Sequence, residues 1–312
     1  MAIYTKISEK EVQKLFIKIG KVISAEGIQE GVENTNYKII LENNKEYILT
    51  IFEKRTKEED LPFFNQSMLE FKNNGIPCPT AVNIGGSTIF KTHDKNCSIY
   101  DFLEGRPINQ INNDALYSLS EVIAELHKAG RASQLKRENT MLIPTWNYIL
   151  NKFNNFQNHK FAHEIQLVSK SIYEIQDQFP KDLEMALIHA DLFPDNIFFK
   201  DNKVSGIIDF FFTCQDTVIY DLSTLINSWF FNSDFDESNC IIFLNNYLDN
   251  TNLKQNEKEY FNFYLKVSAI RFFLTRLHDM YFNNSGDVIH KDPMAFFNIL
   301  RFHQKNNLKE LI

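Results

Sequence analysis

The sequence predicts an α+β fold of two unequal lobes, a small N-terminal lobe built on an antiparallel β-sheet and a larger, mainly helical C-terminal lobe. Three observations carry this. Roughly the first hundred residues alternate short strand-like runs with turn signals around one main helix. From Asn112 onward, apolar residues recur at helical spacing over long stretches. Between the two textures, Glu104-Gly105-Arg106-Pro107 gives the Gly and Pro punctuation of a boundary. The length of 312 residues fits two units of about 150 residues, which places the lobes at 1–104 and 105–312. A cleft between lobes joined by one crossing strand is where small ligands bind.

The elements follow in order. Ser8-Glu9-Lys10-Glu11 is a capping-box pattern, and Val12, Leu15, Phe16 and Ile19 continue it at helical spacing. A short amphipathic helix therefore opens the chain and stops at Gly20. Residues 21–25, 37–41 and 47–52 read as strands, with Asn43-Asn44 as the hairpin turn between the last two. Residues 61–74 read as a helix, with Pro62 near its start and Gly75 closing it. Residues 76–84, 88–91 and 97–103 return to strand character. In the larger lobe, 115–128, 146–179, 217–231, 240–248 and 258–282 carry helix-period apolar residues. The exception is 185–211, where polar clusters break short apolar runs.

Composition removes several functions. Lys+Arg 33 against Asp+Glu 40 gives a net charge of −7 and a pI near 5.7. That balance lacks the basic footprint that displaces counterions from nucleic-acid phosphates. No apolar run approaches the ~18 residues of a membrane helix, and residues 1–10 have no apolar core following a basic start, so no secretory signal is expected. Cys78, Cys97, Cys214 and Cys240 form no Cys-x-x-Cys pair. Reduced thiols in a cytoplasmic protein are therefore expected, not disulfides or a zinc site.

The informative stretch is His189-Ala190-Asp191-Leu192-Phe193-Pro194-Asp195-Asn196, followed by Ile207-Ile208-Asp209-Phe210. Residues 197–200 and 204–208 are apolar runs separated by a turn. If Asn202-Lys203 is a two-residue loop, Asp201 pairs with Val204, and the register sets Asn196 opposite Asp209 at the open end. An amide oxygen and a carboxylate side by side are the hard donors that Mg²⁺ takes. Asp191, one short loop upstream, is placed to accept a proton from, or orient, a hydroxyl attacking phosphorus. A His-x-Asp-x-x-x-x-Asn loop with a later metal-binding Asp is the arrangement of protein-kinase-like phosphotransferases. The competing reading makes these side chains turn and helix caps, and for Asp195 and Asp201 capping is the expectation. His189 is expected to hold the loop's backbone without entering the chemistry.

Taken with its flanking segments, the chain resembles the bacterial homoserine kinase family related to aminoglycoside and choline phosphotransferases. The resemblance runs nearly the whole length, to about residue 303, through 27–37, 47–55, 60–64, 75–79, 102–106, 187–198, 220–222, 271–276 and 291–293. It implies a protein-kinase-like two-lobed fold, an ATP-dependent phosphotransferase using Mg²⁺, and L-homoserine as the acceptor in threonine biosynthesis. Carried onto this sequence, it makes Asp191 the catalytic base and Asn196 and Asp209 the magnesium ligands. The turn from Gly27 to Asn36 becomes the loop over the ATP phosphates, where Gly27 and Gly31 allow close backbone approach and Asn34 and Asn36 donate from their side chains. Asp101, Phe102 and Leu103 become the inter-lobe hinge that meets adenine. One departure stands out. Kinase-like folds place a Lys in the third strand, paired with a Glu on the next helix, whereas this strand offers Thr50 and this helix offers Phe64 and other apolar residues. Lys54 or Arg55 could substitute for that lysine or be solvated charges at a strand end.

Homoserine requires a cation for its carboxylate and an anion for its ammonium. Arg271 and Arg276 lie on an otherwise apolar helix, so each is either a carboxylate clamp or half of an internal ion pair with an Asp such as Asp221 or Asp279. Asp221 reads as a cap or loop anchor, and Trp229 and Phe230 as core. Two other functions stay open at this point. A kinase for choline, ethanolamine or an aminoglycoside would need surplus carboxylates or an aromatic cage near Asp191. A nucleotide-binding regulator without catalysis would fit the missing strand lysine but not an intact Asp191, Asn196 and Asp209.

Overall fold

A computed structural model describes residues 4–29, 34–53, 56–153, 160–282 and 290–312. Helix α1 (Glu9–Leu15) begins with the expected capping box, the Ser8 backbone N–H and hydroxyl donating to Glu11 Oε2 at 2.9 and 2.6 Å. Strands β1 (Val22–Ile28), β2 (Thr35–Leu41) and β3 (Glu46–Ile51) follow, then helix α2 (Leu61–Asn73) and strands β4 (Phe90–Thr92) and β5 (Lys95–Asp101). The five strands make one antiparallel sheet in the order β1-β2-β3-β5-β4. Alternation along β2 buries Tyr37, Ile39 and Leu41 on one face. There they join Leu49, Ile51, Cys97 and Ile99 against Val12 and Phe16 of α1. The opposite face, which carries Asn36, Thr50, Ser98 and Tyr100, turns toward α2.

Gly75 ends α2 as its sequence position requires. It adopts φ +86°, its N–H reaches Lys72 O at 3.0 Å, and the Ile76 N–H reaches Phe71 O at 3.1 Å. Residues 76–84, expected as a strand, form an irregular segment beside β5 instead. Val82 N–H donates to Ile99 O at 2.7 Å and Asp101 N–H to Thr80 O at 3.1 Å, but Pro77 and Pro79 have no N–H with which to build a ladder.

The larger lobe holds helices α3 (Asn113–Ala132), α4 (Ile143–Phe153) and α5 (Ala162–Ile175), then strands β6 (Ala186–Ile188), β7 (Ile197–Lys200), β8 (Lys203–Ile207) and β9 (Cys214–Asp216). Helices α6 (Val218–Trp229), α7 (Glu237–Asn250), α8 (Gln255–Glu259), α9 (Phe261–Phe282) and α10 (Met294–Lys305) complete it. The helix-period stretch over 146–179 holds two helices among the described residues, α4 and α5. The pairing of β6 with β9 and the whole of α10 were not among the sequence expectations. Helix α9 is buried around most of its circumference from Phe261 to Leu277 and packs on α6 and α10. Helix α3 presses on β6 at Gly130, where a Cβ would collide with the Leu187 carbonyl oxygen. Among the described residues no helix is long and apolar enough to cross a membrane.

Candidate active site

The site is built on the β7–β8 hairpin. Its turn is Asp201-Asn202, not Asn202-Lys203. Both residues adopt left-handed φ, +51° and +59°, and Lys203 already pairs with Lys200. Asp and Asn tolerate that region far better than Lys does, because their short polar side chains bond locally. A bulge between Phe198 and Phe199 shifts the register again, so Ile197 pairs with Ile207 and the Ile208 N–H donates to Asn196 O at 2.9 Å. Asn196 therefore faces Ile208, and Asp209 comes one residue later. Asp209 itself turns left-handed, φ +65° and ψ +58°, at the start of a single helical turn, Phe210–Phe212.

The loop from His189 to Asn196 is gripped from several sides. Ala190 is held at φ +65°, a conformation that costs an alanine about 1–2 kcal/mol. Asp221, 0% exposed in the first turn of α6, accepts the His189 N–H at 2.9 Å and the Ala190 N–H at 2.8 Å. The helix N-terminus favours that buried carboxylate. Behind it, His127 on α3 links Asp221 (3.4 Å) to the Tyr247 hydroxyl (2.7 Å). From beneath, Arg271, 1% exposed on α9, donates to Ala190 O at 2.5 Å and Tyr220 Oη at 2.9 Å. Burial opposes its charge, but Tyr220 and then Asp191 outweigh the burial and keep it cationic. Ser228 and Trp229, at the end of α6, both donate to Leu192 O at 3.1 Å.

His189 does what the sequence implied. Its Nδ1 accepts the Asp191 N–H at 3.1 Å and its Nε2 lies 2.9 Å from Ile208 O, so the ring is neutral with the proton on Nε2. Burial, the largest influence, pushes its pKa down despite the Asp221 charge. With both nitrogens engaged, it ties the loop's backbone to the strand end at Ile208.

Asn196 closes the constellation. Its Nδ2 donates to Asp191 O at 2.9 Å and to Asp191 Oδ2 at 3.0 Å. Both amide hydrogens go to Asp191, so the amide oxygen is what Asn196 can offer a cation. Among the described residues no group of three or more His, Cys, Asp or Glu side chains could hold a metal ion. A hard amide oxygen from Asn196 and a carboxylate from Asp209 instead fit an ion completed by phosphate oxygens and water, the coordination Mg²⁺ prefers.

In the small lobe, Gly27 lies in β1 opposite Tyr37, while Gly31, Lys54 and Arg55 fall outside the described residues. Asn34 Oδ1 accepts the Glu53 N–H at 3.3 Å, and Asn36 Oδ1 accepts the Thr50 hydroxyl at 2.8 Å. Thr50 stands between Asn36 and Ser98 in the register. Opposite, α2 presents Asn65, whose Oδ1 accepts from the Tyr100 hydroxyl at 2.7 Å and whose Nδ2 donates to Thr88 Oγ1 at 3.0 Å. A neutral polar network thus lines the place where kinase-like folds carry a Lys–Glu ion pair, consistent with Thr50 at the strand position. It went unread because Asn65, beside Phe64, carries no sequence signal of its own. Asp101 accepts from the Thr80 hydroxyl, Lys38 Nζ lies 4.2 Å from the Phe102 ring centre, and Leu103 packs against Gly206.

Arg137 joins the lobes. It donates to Asp60 Oδ2 at the start of α2 (2.9 Å) and to Thr213 O beyond Asp209 (3.2 Å), and lies 4.9 Å from the Phe64 ring centre. Phe211, two residues after Asp209, sets its ring edge-to-face against Phe52 and Phe64 of the small lobe.

A two-lobed fold with this loop and hairpin defines a phosphotransferase, and the comparisons agree. The chain matches the phosphotransferase enzyme family over residues 24–249 and belongs to it. A homoserine kinase of Brucella anthropi is 34% identical, covering 98% of this chain and 95% of that protein. Among solved structures, spectinomycin phosphotransferase with ADP and spectinomycin aligns with a TM-score of 0.71 at 14% identity, over 99% of this chain and 100% of that one. Amicoumacin kinase with AMP-PNP and Ca²⁺ aligns at 0.68 and 16% identity, over 96% and 93%. These structures share the fold, while the near-full-length relatives are homoserine kinases.

Proposed function

We propose that the chain transfers the γ-phosphoryl group of ATP to the side-chain hydroxyl of L-homoserine, giving O-phospho-L-homoserine for threonine biosynthesis in the cytoplasm. Residues 1–104 serve as the nucleotide lobe and 105–312 as the catalytic and acceptor lobe. The coupling of Asn196 to Asp191 supports this reading most strongly: one amide fixes the carboxylate's orientation through Oδ2 while also holding the Asp191 carbonyl. Asp191 accepts the hydroxyl proton as the oxygen attacks phosphorus, and catalysis comes from positioning more than from covalent participation. Mg²⁺, held by Asn196 Oδ1 and Asp209, would neutralise phosphate charge.

Gly27 and Asn36 at the facing ends of β1 and β2, with Gly31 and Asn34 between them in sequence, are assigned to the phosphates. Asn34 and Asn36 spend their side-chain oxygens on β3 and its extension, which leaves their amide hydrogens to donate. Asp101, Phe102 and Leu103 are assigned to adenine. Of the two arginines, Arg276 takes the acceptor carboxylate, and Arg271 supports the loop from below through Ala190.

The test is an acceptor panel with purified protein and Mg-ATP. ADP release should exceed the no-acceptor rate with L-homoserine. Release with choline or spectinomycin and none with L-homoserine would replace this reading by another small-alcohol kinase.

A further inference from the structure

Three charged side chains, Asp195, Arg276 and Lys291, gather around Phe193, two residues beyond Asp191. Lys291 Nζ lies 2.6 Å from Asp195 Oδ2 and 5.2 Å from the Phe193 ring centre. The Arg276 guanidinium lies 5.6 Å from the same centre and donates to Asp292 O at 3.2 Å. The ring rests on Phe272 and Phe296, which seal its underside. Asp195 immediately precedes Asn196, so it shares a single helical turn, Pro194–Asn196, with the side chain that orients Asp191.

As a fastening, the Lys291–Asp195 pair is weak. Its side chains are 49% and 56% exposed, and exposed pairs are worth about 0–1 kcal/mol. A weak pair is also cheap to open. The acceptor end of homoserine carries an ammonium and a carboxylate on one carbon, the same two charges in one neutral unit. Asp195 and Lys291 present one charge of each sign, with Arg276 as a further cation, a pairing that suits a zwitterion and not a cationic choline or aminoglycoside.

We infer that Asp195 and Lys291 are an exchangeable ion pair that recognises the zwitterionic end of the acceptor, Asp195 taking its ammonium and Lys291, with Arg276, its carboxylate. The inference rests on the homoserine reading above. The two side chains satisfy one another, and the substrate replaces each partner with one of its own charges. Asp195 is then a specificity residue, where the sequence offered only a turn cap.

The test uses Asp195→Asn and Lys291→Met with three probes: L-homoserine, 3-amino-1-propanol (ammonium only) and 4-hydroxybutyrate (carboxylate only). The readouts are kcat/KM for L-homoserine and the constants with which the other two inhibit it competitively. A charge-assisted hydrogen bond sets the scale at about tenfold or more. Asp195→Asn should lower kcat/KM by about that factor and weaken 3-amino-1-propanol similarly, leaving 4-hydroxybutyrate within about twofold. Lys291→Met should do the reverse with the two inhibitors. Equal weakening of all three probes, as a purely structural strap would give, or no weakening at all, overturns the inference. A wild-type protein that turns over other alcohols but not L-homoserine removes the parent reading and this one with it.

Discussion

Asp221 supports the catalytic loop without belonging to it, because two consecutive backbone N–H groups of that loop end on its carboxylate. Removing it strands two buried donors, each costing about 1–3 kcal/mol. Asp221→Ala should therefore cost about 3 kcal/mol or more in urea unfolding, and a loss under about 1 kcal/mol would show that the loop holds itself. Asp216, 6% exposed on β9, makes a second prediction. Burial raises its carboxyl from 3.8 to about 6, although the Asn139 amide at 2.7 Å and the Thr217 N–H partly oppose this. A folded-state pKa above the unfolded one means the folded protein binds the extra proton. Its contribution is fully present below pH 3.8 and is lost as pH rises through about 6, up to ~3 kcal/mol at 1.36 kcal/mol per unit. Asp216→Asn should flatten the stability profile between pH 4 and 6, whereas identical slopes would contradict the assignment. Of these residues, Asp221 could be read as a loop anchor because it sits in the first turn of a helix. Asp216 could not, because its burial comes from a three-residue pairing too short to leave a periodic pattern.

At the scale of elements, the hairpin shows how close a sequence argument comes and where it slips. Two apolar runs around Asp201-Asn202-Lys203 identified the ribbon. The turn moved by one residue because Asp201 and Asn202 accept positive φ, and the bulge at Phe198/Phe199 then moved Asn196 to Ile208. The Asn196 amide still ends on Asp191, and Asp209 reverses the chain just past the strand. Arg137 acts between elements. By holding Asp60 and Thr213 together it couples α2 to the segment after Asp209, a contact between residues 77 positions apart that no local pattern announces. Arg137→Ala should lower kcat by about tenfold while changing the homoserine KM less than twofold, since it governs docking of the lobes and not acceptor contact. An increase confined to KM would place Arg137 in the acceptor site instead.

Over the whole molecule, the division into an antiparallel sheet and a helical mass was legible because period 2 gives way to period 3.6 near Asn112. The loop's geometry was legible because Asp191 and Asn196 lie five residues apart and bond directly, and Asp209 follows just past the next strand. Long-range closure was not legible: β6 with β9, α10 against α9, and the Tyr247–His127–Asp221 support all join residues that only the folded chain brings together. Asp191 is proposed to be the group that receives the alcohol's proton. The direct measurement is ADP release from Mg-ATP with saturating L-homoserine, wild type against Asp191→Asn, with ATP binding followed in both. The substitution should cut turnover by at least ~10²-fold, the low end for general acid–base assistance, and leave ATP binding intact. Turnover within a few-fold of wild type would contradict it.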